Sequence, residues 1–229
     1  MGGLFLLLIR GTMTVLIFAN GDFDAGPWIQ PYFQNAGVII AADGGVKHLE
    51  TLGRLPDLII GDLDSADSEL IVSLNRSGVR SINFPPDKDE TDLELALIYS
   101  KQNFDSPIHV FGATGGRIDH YLANILLLAH PEFLELDISY IGRDYRLWSV
   151  HDRTSIVGEP GDVISLIPIN GKASIAATSG LRWPLNNDIL DFGPTRGVSN
   201  ELIDERAEIE IDSGTIICIQ IKNKSVPIE

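Results

Sequence analysis

Cysteine is nearly absent from this 229-residue chain, which carries only Cys218. A lone thiol closes no internal disulfide, so packing has to hold the fold and a reducing compartment is expected. Cys218 sits in the apolar run Ile216–Ile221 and reads as a buried strand residue. Positive charge is also scarce, with 17 Lys and Arg against 32 Asp and Glu and a formal net charge of −15. That balance argues against a protein that grips nucleic acid through its phosphates, a task that needs basic patches. Long hydrophobic runs are missing as well. The apolar stretch Leu4–Ile9 has six residues, against roughly 20 for a membrane-spanning helix, and it lacks the basic region and cleavage site of a signal peptide. Met13 opens a more strand-like segment, so residues 1–12 read as an extension, and the protein reads as cytoplasmic with no membrane partner.

What is present is ordinary globular material, 44% hydrophobic and 21% charged, enough for one large domain or two small ones. From residue 13 to about 142, apolar runs alternate with amphipathic stretches, the pattern of βαβ units. Strands are expected at Thr14–Ala19, Val38–Ala42, Leu58–Ile60, Ser81–Phe84, Ile108–Phe111 and Asp137–Ile141. Helices are expected around Trp28–Asn35, Val46–Leu52, Ser68–Ser77, Asp92–Lys101 and His120–Ala129. The fourth helix opens on a capping box, Thr91-Asp92-Leu93-Glu94, with Leu93, Ala96 and Leu97 on one face. From residue 143 to 229 the texture changes to short apolar runs split by turn residues. Tyr145–Val150, Val163–Pro168, Ala173–Ala177, Leu181–Leu185, Ala207–Ile211 and Thr215–Ile221 predict a small all-β domain, a sandwich or a barrel.

Each of the first five strands runs straight into polar or glycine-rich sequence. In chain order these loops begin Asn20-Gly21-Asp22, Asp43-Gly44-Gly45, Gly61-Asp62-Leu63-Asp64, Pro85-Pro86-Asp87-Lys88-Asp89 and Gly112-Ala113-Thr114-Gly115-Gly116-Arg117. In a parallel sheet such loops emerge at the carboxyl edge, where open α/β folds bind ligands. Asp62 and Asp64 alternate at a strand end and can converge on one hard cation such as Mg²⁺, although Asp there also suits a plain turn. Their company with Asp43, Asp87, Asp89, Glu90 and Asp92 favours the cation, because clustered like charges repel unless something relieves them. Part of that cluster has a second explanation, since Asp in a first helical turn favours the helix dipole. Lys88 suits either an ion pair or a phosphate.

The loop from Gly112 to Arg117 leads from a strand into a helix, where free backbone N–H groups bind phosphate. It fits neither the Walker nor the dinucleotide glycine spacing. Arg117 among so many carboxylates is placed to clamp a phosphate, whereas His120 reads as a supporting residue. In the β region, Trp183 is followed by Pro184 and the Asn186-Asn187 pair. It is either a core residue or a ring presented to an aromatic or cationic ligand.

The motifs Ala42-Asp43-Gly44-Gly45, Gly61-Asp62-Leu63-Asp64-Ser65, Lys88-Asp89-Glu90-Thr91-Asp92, Gly115-Gly116-Arg117-Ile118-Asp119-His120, Leu181-Arg182-Trp183-Pro184-Leu185 and Gly197-Val198-Ser199-Asn200 occur in that order. Together they closely resemble the thiamine pyrophosphokinase family, over nearly everything from Met13 to Ile221. The resemblance implies an N-terminal Rossmann-like, mostly parallel nucleotide domain over 13–142 and a thiamine-binding β-sandwich over 143–229. It implies a homodimer that moves the diphosphate of ATP onto the hydroxyl of thiamine, releasing AMP, with the thiamine site at the subunit interface.

By the same resemblance Asp62, Asp64, Asp89 and Asp92 hold Mg²⁺, and with Arg117 they form the catalytic group. Asp43, Gly44, Lys88, Gly115, Gly116, Arg117, Asp119 and His120 face ATP, while Trp183, Ser199 and Asn200 face thiamine. Two alternatives stand beside it: diphosphate transfer to another alcohol such as a pterin precursor, and a metal-dependent phosphohydrolase built on Asp-x-Asp. A non-catalytic nucleotide or thiamine sensor is disfavoured, because a pure binder has little use for so many uncompensated carboxylates.

Overall fold

The computed structural model describes residues 13–61, 74, 76–84 and 87–223. Asp62 and Asp64, residues 1–12 and most of the helix expected at Ser68–Ser77 lie outside the described residues. The chain divides into two compact units, one reaching Leu127 and taking in Glu135–Arg143, the other formed by Leu128–Leu134 and the chain from Asp144 onward.

The first unit is a parallel sheet. Its strands are β1 (Thr14–Phe18), β2 (Ala36–Ala42), β3 (Leu58–Gly61), β4 (Arg80–Asn83), β5 (Ile108–Phe111) and β6 (Ile138–Ile141). They lie in the order β4-β3-β2-β1-β5-β6, every neighbouring pair parallel. Residues of β1, β3 and β6 are buried throughout, as strands covered on both faces require, whereas β4 at the edge is mostly exposed. Leu16, Ile17 and Phe18 are completely enclosed, each contributing roughly 1.5–3 kcal/mol of burial.

The connections carry α1 (Gln30–Gln34), α2 (Val46–Thr51), α3 (Asp92–Asn103) and α4 (Ile118–Leu127). Only a short helix forms in the region expected to be helical at Trp28–Asn35, because Pro27–Ile29 makes a tighter 3-10 turn before α1. α3 starts where the sequence predicts: the Thr91 hydroxyl accepts the Glu94 N–H at 3.2 Å. It buries Leu93, Ala96 and Leu97 against the sheet side and ends at Phe104, where the backbone turns extended.

The second unit is antiparallel. Strands β7 (Tyr145–Val150), β8 (Arg153–Val157), β9 (Val163–Ser179), β10 (Asn186–Leu190), β11 (Asn200–Glu201) and β12 (Arg206–Ile221) are arranged around β9 and β12. Runs that read as separate short strands, Val163–Pro168 with Ala173–Ala177 and Ala207–Ile211 with Thr215–Ile221, are halves of these two long strands. The turn residues between them are register shifts rather than ends: β12 pairs β8 through its first half and β7 through its second. Leu181–Leu185 is no strand; only Leu181 makes a bridge, to Leu202. Cys218 is fully buried in β12 among Ile164, Leu166, Ile175 and Ile216, and burial pushes its thiol pKa up.

Candidate active site

Strand order reverses at β1, which has β2 on one side and β5 on the other. Loops leaving β1 and β5 therefore part to opposite faces and leave a crevice at the carboxyl edge. The backbone there is stitched together: the Gly21 N–H donates to Gly112 O at 2.7 Å and the Asp22 N–H to Thr114 O at 2.8 Å. A Cβ on Gly21 would lie 2.5 Å from the oxygens of both Gly112 and Thr114, so no side chain fits between the loops. At the end of the crevice, a Cβ on Gly115 would meet the Asp22 carboxylate at 2.2 Å.

The row of loops continues toward β4. Asn20 Nδ2 donates to Asp43 Oδ2 at 3.3 Å, and Asp43 itself opens a 3-10 turn with φ at 45°, a left-handed conformation costly for a residue with a side chain. Gly61, the last residue of β3, has φ at 149°. A Cβ at Gly61 would lie 3.2 Å from Asp43 Cα and 3.2 Å from Asp92 Oδ1. The backbone of Asp43 at the end of β2 and the Asp92 carboxylate from the first turn of α3 thus both pack against Gly61, the residue that precedes Asp62 in the chain. Asp92 is held from the other side by the Lys88 ammonium, which is largely buried and also lies 5.6 Å from the centre of the Phe84 ring.

Other sequence-predicted residues are placed differently. Asp89 is exposed in the bend before α3. Arg117 and Asp119 form an ion pair with each other at 2.6 Å, 72% and 60% exposed, and the Arg117 hydrogen bond draws the Asp119 carboxyl down to about 2. Asp119 also accepts the His120 N–H at 3.0 Å, and Gly115 and Gly116 take φ of 78° and 68° in the turn that leads to them. Sequence reasoning missed Asn20 and His48. His48 reaches from α2 to place Nε2 2.9 Å from Gly21 O, with its ring 5.1 Å from that of Phe23, and burial lowers its pKa. Nothing in the sequence marks His48, since it belongs to a plain amphipathic helix.

Carboxylate oxygens such as those of Asp43 and Asp92 are hard donors of the kind Mg²⁺ takes, so the chemistry of these side chains suits such an ion. Among the described residues, no three His, Cys, Asp or Glu side chains are grouped to hold a metal.

The second unit holds a cavity of about 450 Å³ lined by two stretches of chain, Trp183–Leu185 and Arg196–Asn200. Trp183 is 56% exposed, which excludes the core reading, and the Arg182 guanidinium lies 5.7 Å from its ring centre. A Cβ on Gly197 would come 2.1 Å from Leu166 O, whose residue donates its own N–H to Gly197 O at 2.8 Å, so the second stretch lies flush on β9. Ser199 has φ of 62° and its N–H donates to Ser165 Oγ at 3.0 Å. Asn200 is buried with its side chain hydrogen-bonded to Trp183.

These features define a mixed α/β, sheet-dominated protein with acidic and glycine-rich loops at the carboxyl edge of a parallel sheet. Residues 29–140 match the family model of the thiamin pyrophosphokinase catalytic domain, and residues 153–216 that of the thiamin pyrophosphokinase vitamin B1 binding domain. The chain belongs to the thiamine pyrophosphokinase family and transfers diphosphate from ATP to thiamine. It is 32% identical to thiamine pyrophosphokinase 2 of Arabidopsis thaliana, covering 96% of this chain and 90% of that protein. It is 29% identical to thiamine pyrophosphokinase of Bacillus subtilis, over 90% of this chain and 98% of that one. The crystal structure of the Bacillus subtilis enzyme superposes with a TM-score of 0.81 over 92% of this chain and 99% of its own.

Proposed function

We propose that this transfer is Mg²⁺-dependent, and that it runs in the cytoplasm in a homodimer built from a doubly wound, Rossmann-like nucleotide domain and a thiamine-binding β-sandwich. The observation that supports the metal reading is that Asp92 sets a carboxylate oxygen beside Gly61, where a Cβ would lie 3.2 Å from Asp92 Oδ1. Asp62 and Asp64 follow Gly61 directly in sequence, so Asp62, Asp64, Asp89 and Asp92 are assigned to the metal. A bound Mg²⁺ would neutralise charge on the phosphate oxygens.

The chain's own residues do the rest. The stitched loops of β1 and β5, with Gly44, Gly115 and Gly116, leave the backbone open to the phosphates of ATP, and Asp43 orients them. Lys88 and Arg117 supply cations that stabilise charge where it develops, and Asp119 and His120 hold Arg117 at the start of α4. The hydroxyl oxygen of thiamine attacks the β-phosphorus of ATP, the bond to the α-phosphate oxygen breaks, and AMP leaves with those electrons. The hydroxyl proton passes to a carboxylate of the acidic group. Trp183, Ser199 and Asn200 form the thiamine site, where an indole face suits the permanent positive charge of the thiazolium ring.

Support for the dimer comes from α4. Ile118, Leu122 and Leu126, spaced by four, are 76%, 58% and 49% exposed, while the inward face is anchored by Asn124, whose side chain donates to Ala113 O at 2.8 Å. A helix that turns its apolar stripe outward fits a partner there, and a second copy of the chain is the partner proposed, with the thiamine site at the subunit interface expected from the family resemblance alone. A cytoplasmic setting agrees with the buried lone thiol, and among the described residues no helix is long and apolar enough to cross a membrane.

The reaction is tested by incubating the enzyme with ATP, thiamine and Mg²⁺. AMP and thiamine diphosphate should appear in equal amounts, EDTA should stop both, and Asp64→Asn should abolish turnover while circular dichroism stays native. ADP as the nucleotide product, or an undiminished rate in EDTA, would overturn the proposal.

A further inference from the structure

We infer that Asn200 is a positioning residue that acts on the thiamine cavity through Trp183 rather than by touching the substrate; this rests on the reading of the Trp183 cavity as the thiamine site. Asn200 is 8% exposed, and its amide is spent on the chain itself. Oδ1 accepts the N–H of Trp183 at 3.1 Å and that of Glu201 at 2.9 Å, and Nδ2 donates to Trp183 O at 2.7 Å. The amide orientation follows from these partners: a flipped side chain would set NH₂ against two N–H donors and oxygen against a carbonyl.

The side chain of Asn200 thereby does for Trp183 what a neighbouring strand would do, binding both its backbone groups. On one side Arg182 N–H donates to Glu201 O at 2.9 Å beside the Leu181–Leu202 bridge. On the other, the Leu185 N–H donates to Thr178 Oγ1 at 2.8 Å. Between them Pro184 has no N–H to offer, so without Asn200 the Trp183 peptide groups lose the hydrogen bonds they make among the described residues. The indole is more than half exposed yet hangs from a backbone pinned on both flanks. Holding an exposed ring rigid removes the ordering cost that a mobile wall would levy on binding. Asn200 also follows Ser199 in the Arg196–Asn200 lining of the cavity, so one amide ties the Trp183 segment to that stretch.

A double-mutant cycle on the full-length enzyme tests this, with thiamine Kd by calorimetry and separate KM values for thiamine and ATP. Trp183→Ala should weaken thiamine binding while sparing ATP. Asn200→Ala should weaken thiamine on the order of tenfold, the loss of one net hydrogen-bonding contribution, with the ATP KM held within about twofold. The double variant should bind thiamine no worse than Trp183→Ala, within about twofold, because Asn200 has nothing left to position. A further additive loss in the double variant would mean that Asn200 contacts thiamine, and an equal rise in both KM values would mean that it serves only the fold; either overturns the inference. Normal thiamine binding by Trp183→Ala would instead remove the thiamine reading of the cavity, a failure visible in that single variant. Should Asn200→Ala not fold, Asn200→Ser leaves a short hydroxyl that cannot span both Trp183 groups and buries no charge. It should show the same thiamine-selective, non-additive pattern at smaller amplitude.

Discussion

His48 shows how a single side chain serves this site without touching a ligand motif. Its Nε2 braces Gly21 O, the hinge between the β1 and β5 loops, and its ring packs on Phe23. Burial is the largest influence on its pKa and lowers it from 6.5; bonds to the Gly21 and Ala19 carbonyls and the charge of Asp22 oppose this, and Lys47 adds to it. The folded protein therefore takes up this proton less readily than the unfolded chain. The stability this contributes is complete above pH 6.5 and is lost as the pH falls through 6.5 toward the lower folded value. Urea unfolding of wild type and His48→Gln at pH 8 and pH 5.5 should show a larger acid loss for wild type. Parallel losses would mean that His48 is not held neutral by its surroundings. Ser199 and Asp43 make a related point, since both are non-glycine residues with positive φ, at 62° and 45°, one lining the Trp183 cavity and the other in the loop that follows β2. Side chains kept in that conformation mark places where position outweighs backbone comfort.

At the scale of elements, start signals read more truly than ends. The Thr91 cap of α3 was visible as a spacing and is present as a hydrogen bond, because capping is settled within four residues of chain. Thr91→Ala should lower stability by about 1 kcal/mol in urea unfolding and, because it frees the turn carrying Asp92, raise the Mg²⁺ concentration needed for half-maximal rate. Unchanged stability would show the cap to be replaceable by water. The β-rich unit was harder to read. Asn170-Gly171 and Ser213-Gly214 have the composition of hairpin turns, yet they lie inside β9 and β12 as irregularities of long strands. Composition alone does not separate a turn from a bulge; only the partner strand decides whether the ladder resumes. Leu181–Leu185 misled for the opposite reason. Its apolar pattern suits a strand, but Pro184 cannot pair and Asn200 supplies the hydrogen bonds a strand would have given.

At the scale of the whole molecule, α4 sets the expectation for assembly. Its outward stripe of Ile118, Leu122 and Leu126 is costly in water and cheap against another apolar surface. Leu122→Glu should shift the protein from dimer to monomer in sedimentation, a loss of roughly 2 kcal/mol or more for each copy of this contact. Activity should fall with it if the thiamine site is shared between subunits. A variant that still sediments as wild type would place the second copy elsewhere.

The sequence by itself determined that this chain is a βαβ unit followed by an all-β unit, that acidic and glycine loops follow the strands, and which family the motifs belong to. These are legible because period, capping and turn chemistry act over a few residues. Tertiary structure alone decided that the Asp43 backbone and the Asp92 carboxylate pack against Gly61, that Arg117 pairs with Asp119, that Trp183 stands out of the core, and that the Asn200 amide is bound to the Trp183 backbone. Each of those depends on which strand lies beside which, a choice made by long-range burial and hydrogen bonding that no local stretch of sequence encodes.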